Sequence, residues 1–387
     1  MLTCVKTVIA LCVLLGGVAA ALPACGGGAP GPADAPASSG SPAASPPGST
    51  EALLVVRRAG GADDLVLYSG GAARTIGTLP GRAAVSVAAP DGGAVAYLPM
   101  KWGPRFWVAT PAGVVRTVSL ARLGVTLVDT VTWISPTGLV ASGRRRSREP
   151  DAAKDFLYEV STGSWTVAPF RGLRGTEPSG AAEAGRLVFV AITDVGPAAD
   201  RPWARTLRER LLLLDVDGEA APRAIETTTY SSSLDLRAYS LPQLAPDGEH
   251  VVTSTAGGDM TVTYRIWRVG GGKALFSKRT ACPGRAAGVW DAAGARVAFA
   301  GLVHRPDTDM QARVWVYDLG TERLAASGLL GSFTAVGLAW SRAGDLAIAR
   351  AGLGKDPDEG TVSLAAAGSL TGLTELGAGG LPAWVRP

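Results

Sequence analysis

Two stretches of the chain, SVAAPDGGAVA (residues 86–96) and PQLAPDGEHVV (residues 242–252), place the tetrapeptide Ala-Pro-Asp-Gly just before a run rich in valine. Proline fixes φ near the value that the second position of a turn requires, and glycine takes the positive φ that other residues avoid. Each copy therefore predicts a tight turn followed by a β-strand.

Related turns recur along the chain at a nearly constant interval. Their glycines lie at 92, 138, 185, 248, 294 and 344, so that the intervals are 46, 47, 63, 46 and 50 residues. A second hairpin follows the strand after each turn, as in RFWVATPAGVVRTV (residues 105–118). Four strands in about 45 residues is the period of a β-propeller blade.

The two ends of the chain complete this count. LPAWVRP (residues 381–387) matches GLAWSRA (residues 337–343) but stops before its turn, whereas residues 52–76 supply three further strands. The sequence therefore predicts an all-β fold, a seven-bladed β-propeller with four-stranded blades, closed by pairing of the N- and C-terminal strands. Six or eight blades are the alternatives, because the 63-residue interval could hold additional strands.

The repeated Trp/Leu-Ser/Ala-Pro-Asp-Gly element before an apolar strand resembles the TolB-like and WD-repeat-like propellers. Over residues 52–387 the chain is particularly similar to propeller lipoproteins of high-GC Gram-positive (actinobacterial) type. The resemblance implies a platform for binding, and it transfers no catalytic residue to this sequence.

The N-terminal residues predict export and attachment to the membrane. An uncharged, apolar run over residues 8–21 is too short to span a bilayer comfortably, but it suits a signal peptide. Leu22-Pro23-Ala24-Cys25-Gly26 resembles the lipobox of bacterial lipoproteins, in which diacylglycerol alkylates the cysteine thiol, although Pro23 departs from the usual pattern. We therefore expect a lipoprotein signal peptide over 1–24, a lipidated Cys25 with a Pro/Gly/Ser/Ala-rich tether over 25–50, and the propeller domain over 51–387. Ordinary secretion after Ala19-Ala20-Ala21 is the alternative.

The composition argues against several functional classes. The chain has 387 residues, a net charge of +4 and only two histidines, and three of its four cysteines lie within the first 25 residues. This charge is lower than most nucleic-acid-binding domains carry, and the cysteines form no disulfide framework. Neither a nucleophile motif nor a metal or cofactor site is predicted, since solvated loop charges explain His304 and its neighbouring aspartates better than a metal site does.

The long charged connections predict a binding face. Eight of the ten tryptophans recur at blade-packing positions, whereas Trp102 and Trp203 fall in connections between second and third strands, which share one face of a propeller. Three such connections, MKWGPR, RRRSREPDAAKD and TDVGPAADRPWARTLRER, hold eleven Lys or Arg against six Asp or Glu. The predicted partner-binding residues are Trp102, Arg144, Arg145, Arg146, Trp203 and Arg205. An acidic sector is expected from GGADD, RPDTDMQA and AGLGKDPDEG on the same face. The alternative is that all these loops are merely solvated.

These observations favour a monomeric, lipid-anchored binding or scaffold protein on the extracytoplasmic face of the cell membrane. Its expected partner is an envelope protein or an anionic polysaccharide. The competing hypothesis is an envelope hydrolase or lyase whose acidic residues lie near the central channel.

Overall fold

The computed structural model describes residues 51–145, 155–197, 205–231, 240–256, 261–281, 287–305, 308–331, 333–352 and 356–387. Strands joined by antiparallel pairing dominate these residues, and the helices among them are 3-10 helices of three residues each. The predicted all-β class is confirmed. Within the described residues, no apolar helix reaches the length needed to cross a bilayer.

The first half of the chain forms four sheets of four strands, which we call units 1 to 4. Their bounds, in the order of hydrogen bonding from the first strand of each unit, are as follows. Unit 1 is β28 (Gly380–Val385), β1 (Ala52–Ala59), β2 (Ala62–Ser69) and β3 (Ala72–Thr78). Unit 2 is β4 (Ala83–Ala88), β5 (Val95–Pro99), β6 (Arg105–Ala109) and β7 (Val115–Ser119). Unit 3 is β8 (Val125–Ser135), β9 (Gly138–Arg145), β10 (Asp155–Ser161) and β11 (Thr166–Pro169). Unit 4 is β12 (Thr176–Ala181), β13 (Arg186–Pro197), β14 (Arg205–Asp215) and β15 (Arg223–Ser231).

The second half forms one sheet of eight strands and one of four. The eight-stranded sheet is two four-stranded units joined by a single residue pair, Ala281 with Leu302. Unit 5 is β16 (Ser240–Leu244), β17 (His250–Ala256), β18 (Thr261–Arg268) and β19 (Phe276–Ala281). Unit 6 is β20 (Val289–Trp290), β21 (Arg296–Arg305), β22 (Thr308–Asp318) and β23 (Arg323–Ala326). Unit 7 is β24 (Phe333–Trp340), β25 (Leu346–Gly352), β26 (Thr361–Ala365) and β27 (Thr374–Ala378).

The two ends of the chain share unit 1. β28 pairs with β1 in antiparallel register, with Ala52 opposite Val385 and Leu53 opposite Trp384. The sequence predicts this pairing, and it hydrogen-bonds the edge that β1 would otherwise expose.

The hydrophobic core lies between units, because strand alternation sends successive side chains toward opposite neighbours. The described part of the chain contains seven clusters of buried apolar residues, and each lies between two consecutive units. One cluster joins the last unit to the first, since Leu53, Val55 and Val66 of unit 1 pack on Ala347 and Val362 of unit 7. Four-stranded antiparallel sheets packed face to face in this way have the architecture of a β-propeller.

Hydrogen bonds also link the first strand of each unit to that of the preceding unit. Four of the donors are the indole N–H groups of tryptophans predicted to pack between blades, which we call the recurrent tryptophans. Their bonds run from Trp133 to the carbonyl of Val87, Trp290 to Gln243, Trp340 to Val289 and Trp384 to Ala339, at 2.9 to 3.1 Å. Where the tryptophan is missing, other groups make the link: the Ser86 hydroxyl to Leu381, the Gly180 amide to Thr132 and the Leu244 amide to Ser179.

The Pro-Asp-Gly turns have the predicted geometry. Gly92 and Gly248 have φ of 73° and 69°, which residues with a side chain rarely adopt. The carboxylates of Asp91 and Asp247 accept the N–H groups two residues further on, at 2.9 and 2.8 Å. Proline, aspartate and glycine therefore each stabilise the turn, through a fixed φ, a side-chain hydrogen bond and a positive φ respectively.

The connections define two faces. Hairpins between first and second strands, including the Pro-Asp-Gly turns, lie on what we call the lower face. Connections between second and third strands, and those between units, lie on the upper face. The chain enters the fold on the lower face at Glu51, whose carboxylate accepts the Arg342 backbone N–H at 2.9 Å. The Arg342 side chain reaches the carbonyl of Pro90 in unit 2 and lies 3.7 Å from Glu183 in unit 4, so it crosses between the turns of three units.

Candidate functional site

The loop over residues 100–104 presents the predicted residue Trp102 on the upper face. Backbone hydrogen bonds fix this loop on three sides: Met100 N–H to Arg82, Val128 N–H to Gly103 and Leu120 N–H to Pro104, at 2.8 to 2.9 Å. Trp102 nevertheless remains 54% exposed, the highest value among the large apolar residues whose burial is described. A held backbone with a solvent-facing indole is suited to contact a partner without a large ordering cost.

Three exposed cations belong to this loop, to its flank or to the connection that is hydrogen-bonded to it. Lys101 and Arg105 flank it in sequence, and Arg122 lies in the 3-10 helix Ala121–Leu123, next to the Leu120 amide that bonds the loop. None of the three has an ion-pair partner among the described residues. We call Lys101, Trp102, Arg105 and Arg122 the Trp102 patch. Sequence analysis did not single out Arg122, although it is the one charged residue of the short connection from β7 to β8.

The predicted residue Arg144 lies close to this loop but is engaged internally. It pairs with Leu127 across β8 and β9, next to the Val128 that bonds Gly103. Its guanidinium lies 3.0 Å from Asp129 and 3.2 Å from Asp155, and its side chain is only 15% exposed. Two carboxylates outnumber this one cation, so Arg144 adds no positive charge to the surface.

Arg145 is also held by its own unit. Its Nε donates to the Tyr158 hydroxyl at 3.0 Å, and its guanidinium lies 4.8 Å from the ring centre of Phe156. Stacking on aromatic rings leaves the outer edge of an arginine able to contact an anion, but the side chain also contributes to packing. Arg146 and Trp203 lie outside the described residues, and their proposed roles stay predictions.

In unit 4 the prediction of a long connection on the upper face was wrong in part. The segment 193–210, predicted to be a connection, is largely strand: β13 continues to Pro197 and β14 begins at Arg205. The long interval between Gly185 and Gly248 is accordingly filled in part by long strands and, within the described residues, not by an additional sheet. The predicted site residue Arg205 lies at the start of β14 and pairs with Asp194 at 2.8 Å, where both side chains are about half exposed.

This extended hairpin carries two further exposed cations. Arg208 and Arg210 lie on the same side of β14 as Leu212, which packs against unit 3. Neither has an ion-pair partner among the described residues. Unit 4 therefore directs two available positive charges toward the side of unit 3 that carries Arg144, whereas Arg145 lies on the opposite side with Tyr158.

The predicted acidic sector is organised around an arginine. Arg82, in the connection from β3 to β4, makes a bidentate contact with Asp358 at 2.5 to 2.9 Å and an ion pair with Asp356 at 2.8 Å. Asp63 is fully buried beside them, and one of its oxygens accepts the Ala83 N–H at 2.7 Å. These residues come from units 1 and 7 and from the connection between units 1 and 2. We call Asp63, Arg82, Asp356 and Asp358 the aspartate cluster.

The pKa values of the two buried carboxyls in this cluster shift in opposite directions. Burial, together with the hydrogen bond and repulsion from Asp358, raises the pKa of Asp63 to about 7. Burial also favours a higher pKa for Asp358, but hydrogen bonds from Arg82 and Asp63 outweigh this effect, so the pKa of Asp358 is lowered. At mildly acidic pH the pair therefore holds one proton, on Asp63, and it loses that proton as the pH rises through about 7. Asp358 is 1% exposed and Asp63 is not exposed at all, so a substrate cannot reach this acid pair.

A surface cleft of about 400 Å³ opens at the outer rim between units 2 and 3. Trp165 and Val167 form one side, and Arg116 to Ser119 of β7 form the other. The Arg116 guanidinium lies 5.4 Å from the Trp165 ring centre and covers one face of the indole. Among the described residues, no group of three or more His, Cys, Asp or Glu side chains could hold a metal ion.

The sequence matches no known family model and no curated protein. Among solved structures, the chain is similar to a hypothetical selenium-binding protein from Sulfolobus tokodaii, with a TM-score of 0.53, 10% identity and coverage of 87% of this chain and 92% of that chain. TolB from Acinetobacter baumannii has a TM-score of 0.44 and 14% identity over 87% of this chain and 83% of that chain. An oligogalacturonate lyase from Vibrio parahaemolyticus has a TM-score of 0.47 and 10% identity over 86% and 91%.

These similarities concern the fold alone, because identities are at most 14%. TolB-like propeller proteins are among the structures that this chain resembles, in agreement with the resemblance stated from the sequence. The neighbours include both TolB and a lyase, so the shared architecture does not distinguish a binding protein from an enzyme.

Proposed function

We propose that the protein is a seven-bladed β-propeller, anchored by lipid on the extracytoplasmic face of the cell membrane, whose upper face binds an anionic envelope polymer. The observation that carries the binding proposal is the Trp102 patch, an exposed indole on a held loop with three cations that have no ion-pair partner in the described chain.

The order in which the described units pack supports seven blades. Each unit contacts the next through a buried cluster and a hydrogen bond between first strands, and unit 7 contacts unit 1 in the same way. Six or eight blades would require a gap or an additional unit in this cycle.

The chemistry of the upper face favours an anionic glycan over a protein. A protein interface usually has an apolar core, whereas Trp102 is a single aromatic residue among cations. An indole face stacks on a sugar ring, and guanidinium groups contact carboxylate or phosphate in a bidentate manner. Arg208 and Arg210 extend the positive charge along unit 4, and the predicted residues Trp203, Arg205 and Arg146 belong to the same proposed surface. In this proposal Arg144 keeps its internal ion pairs and stabilises unit 3 beneath the binding surface without contacting the polymer.

The anchor is proposed from residues 22–26 alone. A diacylglyceryl group on Cys25, followed by the segment to residue 50, would hold the propeller at the membrane. Cys25→Ser should release the protein into the medium or leave an uncleaved precursor, as shown by fractionation and intact mass. Normal processing with unchanged membrane retention would contradict this assignment.

The binding proposal is tested with the soluble chain 51–387 and two anionic polymers, alginate and a poly(glycerol phosphate) teichoic acid. Replacing Lys101, Arg105 and Arg122 together by alanine should weaken binding at least tenfold and flatten its dependence on salt, because fewer charges are screened. Trp102→Ala alone should weaken binding while leaving that dependence on salt unchanged.

The matched control removes the same number of exposed charges elsewhere, through Arg74→Ala, Arg268→Ala and Arg323→Ala in one protein. Equal loss of affinity in this control would contradict a specific patch. Binding only to acidic proteins from an envelope extract would move the assignment to a protein partner. Cleavage of either polymer, followed by reducing ends and by absorbance of unsaturated products, would favour the hydrolase or lyase instead.

A further inference from the structure

The aspartate cluster joins three parts of the ring that are distant in sequence. Asp358 lies in the 3-10 helix Pro357–Glu359 of unit 7, Asp63 begins β2 of unit 1, and Arg82 precedes unit 2. Arg58 of unit 1 also forms an ion pair with Glu359. These contacts therefore hold the 3-10 helix of unit 7 on unit 1, the unit that both ends of the chain form.

Carboxyls outnumber cations in this cluster, and protonation of one carboxyl lowers the excess negative charge from two to one. Arg82 faces Asp356 and Asp358, and Arg58 neutralises Glu359. Asp63 has no cation of its own, and the charged groups facing it are Asp358 and Arg82, with the buried Tyr97 hydroxyl nearby. A protonated Asp63 donates to Asp358, whereas an ionised Asp63 places a second buried negative charge against it.

Few hydrogen-bond donors reach Asp63 in this site. When Asp63 is ionised, one of its oxygens has no donor within the described structure, and the Tyr97 hydroxyl, itself unpaired there, does not bond to it. A negative charge on Asp63 would gain little from its surroundings, because among the described residues only the Ala83 N–H donates to its carboxylate.

We propose that the aspartate cluster is a pH-dependent latch, which holds the 3-10 helix Pro357–Glu359 of unit 7 on units 1 and 2 when Asp63 is protonated and loosens when Asp63 ionises. The backbone of Arg82 extends the effect to the upper face, since its carbonyl accepts the Met100 N–H of the loop that carries Trp102. The latch itself is independent of any partner, whereas its effect on binding rests on the proposed function.

The sign follows from proton linkage. The folded state holds a proton on Asp63 up to about pH 7, whereas the unfolded chain releases it near 3.8. Stability therefore falls as pH rises through this interval and levels off above it. The melting temperature of the soluble chain should fall by about 3 °C between pH 5.5 and 8.

Asp63→Asn keeps the shape and a donor to Asp358 but cannot ionise, so its melting temperature should change little over the same range. Asp64→Asn is the matched control, because the neighbouring Asp64 is bonded to the exposed Thr78 and should retain the wild-type slope. Equal slopes for wild type and Asp63→Asn, or a wild type without a slope, would overturn the latch.

Amide exchange in the wild type provides a second measurement if Asp63→Asn does not fold. After correction for intrinsic rates, peptides covering 356–361 should lose protection between pH 6 and 8.5, while peptides of β13 and β14 should not. Equal change in both would refute the proposal. Alginate affinity should fall several-fold over this range in the wild type and stay constant in Asp63→Asn. A failure of all proteins to bind would count against the proposed function and leave the stability result intact.

Discussion

Closure of the ring through Trp384 is open to a direct test, Trp384→Phe. The substitution keeps an aromatic ring between units 1 and 7 but removes the indole N–H that donates to the Ala339 carbonyl at 3.1 Å. A carbonyl left without its donor in a partly buried site costs about 1–2 kcal/mol. For a domain of this length that corresponds to a lower melting temperature by about 2 °C.

The assay compares Trp384→Phe with Trp102→Phe by urea unfolding and by calorimetry. Both proteins undergo the same chemical change, but Trp102 is exposed and its indole N–H has no acceptor in the described structure. Trp102→Phe should therefore keep the wild-type denaturation midpoint. If Trp384→Phe matched the wild type, or if both variants lost the same stability, the proposed closure by the recurrent tryptophans would be wrong.

Three further substitutions or truncations test the packing that surrounds the binding face. A chain ending at Gly379 lacks β28 and should lose about 8 kcal/mol of apolar burial, which is enough to abolish cooperative unfolding by circular dichroism, whereas removal of Pro387 alone should have no effect. Arg144→Ala should cost about 3 kcal/mol in urea unfolding because it strands two carboxylates, while exposed Arg105→Ala should stay within about 0.5 kcal/mol; similar values for both would contradict the internal role of Arg144. Gly180→Ala should lower the melting temperature because its Cβ would lie 2.2 Å from the Trp133 carbonyl, and Gly61→Ala, which meets nothing within 4 Å, should not.

The fold was accessible from the sequence because its signals are local. Pro-Asp-Gly turns, alternating strands and a nearly constant interval each depend on a few adjacent residues. The sharing of unit 1 between the two ends of the chain was predicted by matching LPAWVRP to an earlier first strand. The recurrent tryptophans were likewise visible as repeats, although their hydrogen bonds to the preceding unit were not.

The site was less accessible because its contacts join residues that are far apart. Counting loop charges gave Arg144 a surface role, but Asp129, which neutralises it, lies in a strand and was not part of that count. Asp63 and Asp358 were both placed in an acidic sector, yet the arginine between them lies in another connection. The extension of β13 and β14 was hidden because Gly196 and Pro197 are typical of loops.

The position of Glu51 has a mechanical consequence. The chain enters at the lower face beside Arg342 and continues directly into β1, which lies between β28 and β2. A pull on the preceding residues acts along β1, so it loads the hydrogen bonds to both neighbouring strands together, in shear, and does not open them one after another. With a lipid at Cys25, as proposed, the tether would join the propeller at its lower face. The Trp102 patch lies on the opposite, upper face, so a pull through the tether would load β1 without acting directly on the patch.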